Sequence, residues 1–142
     1  MRDIPIDRIM TTDPATVGPH DSAAEARRLL DNNVIHHLPV VEGGRLVGIV
    51  SATDFLKLHL LDDKLAIHAR ATVDQIMETN LIVLRQNATL REAAEKLCMG
   101  SFHALPVVDR HKRLVGIVTS SDLIGELLNA LPNHEREWHE NH

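Results

Sequence analysis

Leu38-Pro39-Val40-Val41, followed after a turn by Leu46-Val47-Gly48-Ile49-Val50-Ser51-Ala52-Thr53-Asp54, returns as Leu105-Pro106-Val107-Val108 and Leu114-Val115-Gly116-Ile117-Val118-Thr119-Ser120-Ser121-Asp122. The first block recurs at an offset of 67 residues and the second at 68, so the turn of the second copy carries one extra residue. Pairing 7–42 with 74–109 and 45–61 with 113–129 gives 53 aligned positions, of which 20 are identical. Two copies of a small unit predict a pseudo-two-fold body whose chemistry lies where the copies meet.

Each copy of about 60 residues is marginal for a core of its own, so the two are expected to share an interface and fold together. A hydrophobic fraction of 44% supports a packed interior. A net charge of −5 argues against nucleic acid, which needs a basic face. No run of 18 apolar residues offers a membrane span, and Met1-Arg2-Asp3-Ile4-Pro5 lacks the apolar stretch of a signal peptide. Cys98 is the single cysteine, so no internal disulfide or cysteine-based metal cluster is expected, and a cytoplasmic setting follows. With 2% aromatic residues and no Tyr, aliphatic side chains would have to enclose any ligand base.

Ile6–Met10 and Asp74–Met77 read as short helical turns, and Ala15–Val17 and Ile82–Leu84 as short strands. Ser22-Ala23-Ala24-Glu25 and Thr89-Leu90-Arg91-Glu92 are capping-box patterns that open helices over 23–32 and 90–99. Ala26, Leu29 and Leu30 share a face of the first; in the second, Lys96 breaks the matching apolar pattern. Two strands follow in each copy, 38–41 with 46–50 and 105–108 with 114–118. The first turn, Glu42-Gly43-Gly44, carries glycines free to take positive φ, whereas Asp109-Arg110-His111-Lys112 has none. Closing helices start near Thr53 and Ser121. The fold class is therefore α/β of the α+β type: two β-α-β-β-α units with small mixed sheets, pseudo-two-fold related and packed into one module. The units span 1–62 and 74–131, joined by 63–73 and followed by a polar tail, 132–142.

The twice-repeated L-P-V-V, turn, L-V-G-I-V-[ST]-x-x-D, with its Ile-Met-x-Thr start, resembles a tandem pair of cystathionine-β-synthase (CBS) domains over about residues 4–130. The resemblance implies a regulatory or sensor module, with nothing else attached. It would bind an adenosine-containing ligand (AMP, ADP or ATP, with S-adenosylmethionine or NAD also compatible) in the cleft between the domains. It also implies a homodimer of four CBS units, a protein partner that reads the ligand state, and no catalytic turnover. A constitutive dimerisation or interaction scaffold is the competing expectation.

Ser51-Ala52-Thr53-Asp54 and Thr119-Ser120-Ser121-Asp122 sit at strand-to-helix junctions, where unpaired first-turn N–H groups favour negative charge. Two readings are open: the Asp accepts a ribose diol, or the pattern is a helix cap with an acidic third residue. The resemblance implies composite sites. One takes Thr11, Thr12, Ala15, Thr16, His36, His37, Leu38 and Pro39 with Thr119, Ser121 and Asp122. The other takes Thr79, Ile82, Val83, His103, Ala104, Leu105 and Pro106 with Ser51, Thr53 and Asp54. The backbone around Pro39 and Pro106 would read the edge of an adenine. Thr11 is matched by Glu78 and Pro14 by Leu81; Glu78 would repel a phosphate unless turned away, which favours the first set. His36 and His103 share a repeat position; each is either a phosphate ligand when protonated or a plain loop histidine.

Ten histidines invite a metal reading that their spacing does not support. His134 and His139 lie five residues apart, which on a helix separates them by ~140°. Met10, Met77 and Met99 are expected in the core or an interface. Cys98 falls on a predicted helix with no visible activating arrangement of cations, and there is no P-loop or dinucleotide fingerprint. Phe55, Leu56, Leu58, Leu123, Ile124 and Leu127 are more apolar surface than one core needs, which points to a homodimer.

Overall fold

The computed structural model describes residues 4–33, 35–61, 70–100 and 103–132. The joining stretch 62–69 and the tail 133–142, with His134 and His139, lie outside the described residues; so does the side chain of Leu58. A 3₁₀ turn (Ile6–Arg8) and β1 (Thr11–Thr12) lead into α1 (Ala23–Asn33), β2 (His37–Glu42), β3 (Arg45–Ser51) and α2 (Ala52–Leu61). The second repeat runs α3 (Val73–Ile76), β4 (Leu84–Arg85), α4 (Leu90–Cys98), β5 (Ala104–Val108), β6 (Leu114–Thr119) and α5 (Ser120–Ala130).

Each L-P-V-V block forms a strand: Leu38, Pro39 and Val40, and likewise Leu105, Pro106 and Val107, are fully buried, and the β-branched valines suit a pleated, packed surface. Strand β2 pairs antiparallel with β3, and β5 with β6, both with a register shift at the same repeat position, Val40/Val41 and Val107/Val108. The mixed α/β character follows: β4 joins β5 in parallel, and Val17 makes the matching parallel bridge to Val40. The expected first strands are thus shorter than predicted, and in the first repeat a single bridge remains. Ser22 Oγ accepts the Glu25 N–H at 3.1 Å and Thr89 Oγ1 the Glu92 N–H at 3.3 Å, the caps expected from the sequence. Lys96, out of place in an apolar stripe, donates from Nζ to the Val83 carbonyl at 3.0 Å.

The repeats exchange their leading segments. Ile6 is fully buried in the core of the second repeat with Leu84, Leu90, Leu105, Val107 and Val118. Ala71 and Val73 occupy the equivalent places in the first, beside Leu30, Leu38, Val40 and Phe55. The bonds are reciprocal. Ile6 N–H donates to the Ala88 carbonyl at 2.9 Å, and Val73 N–H to that of Asp21 at 2.8 Å. Thr11–Thr12 pairs with Gly116–Ile117 of β6, while Glu78 pairs with Ile49 of β3. Glycine is needed at both crossing points. A Cβ on Gly116 would lie 2.8 Å from the Thr11 carbonyl oxygen and 2.7 Å from Met10 Sδ, and one on Gly48 would lie 2.5 Å from Met77 Sδ. The packed cores therefore cut across the two sequence repeats.

Phe55 and Leu123, expected to need cover from a second subunit, belong to these cores. Leu56, Ile124, Leu127 and Leu128 are more than half exposed, and Met99, expected in core or interface, is 84% exposed. Met10 and Met77 pack against the two cores. Among the described residues no helix is long and apolar enough to cross a membrane.

Candidate functional site

The end of β3, the head of α2 and the start of β5 converge on a cleft of about 350 Å³ between the repeats. Ser51, Thr53, Asp54, His37 and Ile49 line it from the first repeat; Glu78, Leu81, Ile82, His103, Ala104 and Pro106 line it from the second. The geometry follows from the exchanged pairing: the Ile49–Glu78 bridge, with N–H···O distances of 3.0 and 2.8 Å, pins the second repeat's leading segment across β3. Ile49 and Ser51, two apart on a strand, then face the same side.

Asp54 Oδ2 accepts the Ser51 N–H at 2.8 Å and the Ser51 hydroxyl at 3.2 Å. Asp122 Oδ2 accepts the Thr119 N–H at 2.8 Å, while Thr119 Oγ1 accepts the Asp122 N–H at 3.2 Å. Both carboxylates thus serve as helix caps through one oxygen, and no bond among the described residues involves Oδ1 of either. The two readings of the S/T-x-x-D motif are therefore compatible: one oxygen holds the helix, and Oδ1 of the half-buried Asp54 has no partner among the described residues.

Of the Asp54 set, Ile82, His103, Ala104, Pro106, Ser51 and Thr53 line the cleft with it. Thr79 is exposed beside it, and the Val83 carbonyl is taken by Lys96. Leu38 and Leu105 are fully buried in the two cores and do not line this cleft. The Pro39 carbonyl, expected to read a base edge, already accepts the Val17 N–H at 3.1 Å.

Of the Asp122 set, Thr11 and Thr12 pair with Ile117 and Gly116 of β6, the strand that ends at Thr119. Ala15, His36 and Ser121 are exposed and Thr16 is half-buried. His37, grouped in sequence with Asp122, lines the Asp54 cleft instead. Glu78, the reason for favouring the Asp122 set, turns back on its own loop: its Oε1 accepts the Asn80 N–H at 2.7 Å. Ile49, missed in sequence, was legible as the same-face neighbour of Ser51.

Burial holds His37 below the ordinary imidazole value; His36 and His103 push the same way, and Asp54 opposes them. The described lining holds two acidic side chains, Asp54 and Glu78, two imidazoles, His37 and His103, and no Lys or Arg. Among the described residues no three His, Cys, Asp or Glu side chains are placed to hold a metal ion.

The family described as "CBS domain" matches residues 3–60 and again 73–129. The chain belongs to the CBS-domain family. It is 32% identical over 127 residues to the uncharacterized protein MJ1225 of Methanocaldococcus jannaschii, covering 84% of this chain and 45% of that one. The chain spans less than half the length of the curated relatives it matches first. Among solved structures, CBSX2 of Arabidopsis thaliana in complex with AMP superposes with a TM-score of 0.78 at 30% identity, over 89% of this chain and 97% of that one. The CBS pair of protein MJ0100, in complex with 5′-methylthioadenosine and S-adenosyl-L-methionine, gives 0.75 at 31% identity, over 90% and 98%.

Proposed function

We propose that this CBS pair is a regulatory module that binds an adenosine-containing ligand in the Asp54 cleft. One observation carries the reading: Ser51, Thr53 and Asp54 of one repeat meet Ile82, Ala104 and Pro106 of the other around a single cavity. Ile82, Ala104 and Pro106 offer apolar walls for a base, and Asp54 Oδ1 an anionic acceptor for a ribose diol. CBSX2 with AMP and MJ0100 with methylthioadenosine and S-adenosylmethionine support the reading, since adenosine is what those ligands share. By the repeat, Thr11, Thr12, Thr16 and His36 with Thr119, Ser121 and Asp122 form the second site.

The charge of the cleft orders the candidates. Asp54 lines the cleft and no Lys or Arg does, which disfavours a triphosphate, so S-adenosylmethionine, methylthioadenosine and AMP should bind more tightly than ADP, ATP or NAD. A ligand touching both repeats shifts their arrangement by its differential affinity for the two shapes, and a protein partner reads that shift. The exposed Ile124, Leu127 and Leu128 support a homodimer through α5. The lone, exposed Cys98 fits a reducing cytoplasmic setting.

Calorimetric titration of the full chain with S-adenosylmethionine, methylthioadenosine, AMP, ADP, ATP and NAD tests this. Micromolar-scale binding of the weakly charged members, weakened by Asp54→Ala, is expected. No heat with any of the six, and an oligomeric state indifferent to all of them, would leave only a scaffold.

A further inference from the structure

The two hairpin turns meet at the end of the strands away from the Asp54 cleft. Arg45 of the first turn pairs across the repeat interface with Arg113 of the second. Leu46 N–H donates to the Lys112 carbonyl at 3.0 Å and Leu114 N–H to that of Gly44 at 3.2 Å, so the backbone holds the tips side by side. Arg45, Arg110, His111, Lys112 and Arg113 line a hollow of about 530 Å³ there, and no carboxylate lines it. The chain as a whole carries −5, so this is a local inversion of its charge.

The nearby acids are otherwise engaged. Asp109, in an adjoining hollow with Arg85, has its Oδ1 taken by the His111 N–H at 2.8 Å and the Arg113 N–H at 3.0 Å. Glu42 pairs with His20 at 3.4 Å. The extra residue of the second turn builds the patch: where the first repeat turns on Gly43-Gly44, the second presents Arg110-His111-Lys112. Lys112 is held at φ +63°, a strained region for a side-chain-bearing residue. Gly44 leaves room for Arg113, whose Nη1 would stand 3.1 Å from a Cβ there.

Like charges gathered at one point repel, and an oxyanion relieves them. Guanidinium forks match phosphate oxygens in pairs. We propose that this hairpin-tip hollow is a second binding site, for a small anion carrying several phosphoryl groups. A concave hollow bounded by three guanidinium-bearing residues fits a compact oligophosphate better than a long polyanion, which the surrounding negative charge repels.

Tripolyphosphate is the probe, titrated calorimetrically into the full chain at low and at physiological salt. The expected result is binding that weakens with salt, falls tenfold or more in Arg45→Gln/Arg110→Gln/Arg113→Gln, and is unchanged by Asp54→Asn. Thermal melts of the triple variant, and the single Arg110→Gln variant in parallel, show that any loss is not unfolding. Absence of binding at low salt, equal binding by the folded triple variant, or loss on Asp54→Asn would each overturn the proposal. Tighter binding of hexaglutamate than of tripolyphosphate would make this an acidic-peptide surface and overturn it as well.

Discussion

Asp54 has two duties, and two substitutions separate them. Its Oδ2 caps α2 through the Ser51 N–H at 2.8 Å, and its Oδ1 is assigned to the ligand. Asn at this position keeps a neutral acceptor for the cap, so Asp54→Asn should change stability by less than about 0.5 kcal/mol. Ala removes the cap and should cost about 1 kcal/mol, a Tm decrease of ~3 °C for a chain of this size. Ligand affinity should follow another order. Losing the charge of the diol acceptor should cost about 1.5 kcal/mol in the Asn variant, ~10-fold in Kd; losing the acceptor altogether should approach 3 kcal/mol in the Ala variant, ~150-fold. Calorimetry with S-adenosylmethionine or AMP, alongside thermal melts, reads both scales. An Asn variant that binds as tightly as the parent would refute the carboxylate–diol assignment. An Ala variant whose lost affinity is wholly recovered on cooling, where the fold is intact, would reduce Asp54 to a cap.

The exchange of leading segments makes Gly116 a sensitive position: Gly116→Ala sets a methyl against the Thr11 carbonyl oxygen at 2.8 Å and should cost about 1–3 kcal/mol, with Met10→Ala restoring only part of it. Gly125, in α5, is the control, since a methyl there would meet nothing within 4 Å; Gly125→Ala should stabilise by about 0.5–1 kcal/mol in the same urea titrations. His37 should give the stability a pH dependence. Because the folded protein holds it below its unfolded value of about 6.5, the unfolded chain takes up the proton first; stability is full above that pH and is lost as pH falls through the lowered folded value. His37→Gln should therefore flatten the difference in urea midpoint between pH 7.5 and 5.5, and an unchanged difference would remove His37 as its source.

The repeat itself specified most of the local structure. Buried L-P-V-V strands alternate with capped helices because β-branched runs and S/T-x-x-E patterns act within a few residues. Even the two motif aspartates were legible as caps or ligand groups, since both functions use the same oxygen pair. What no local pattern carried was which copy each segment joins. Ile6 and Val73 satisfy the same period in sequence, and only the closing of the two cores places each in the opposite repeat. That exchange then completes the cleft: it brings Glu78 against Ile49, where the β2–β3 hairpin has already set His37 opposite Ser51 and so beside Asp54 rather than Asp122, while Leu38 and Leu105 lie wholly inside. It also sets the two hairpin tips together and gathers their cations. Hydrogen-bonding preference and side-chain periodicity are properties of neighbouring residues, whereas pairing between the two repeats is settled by which arrangement buries both apolar faces at once.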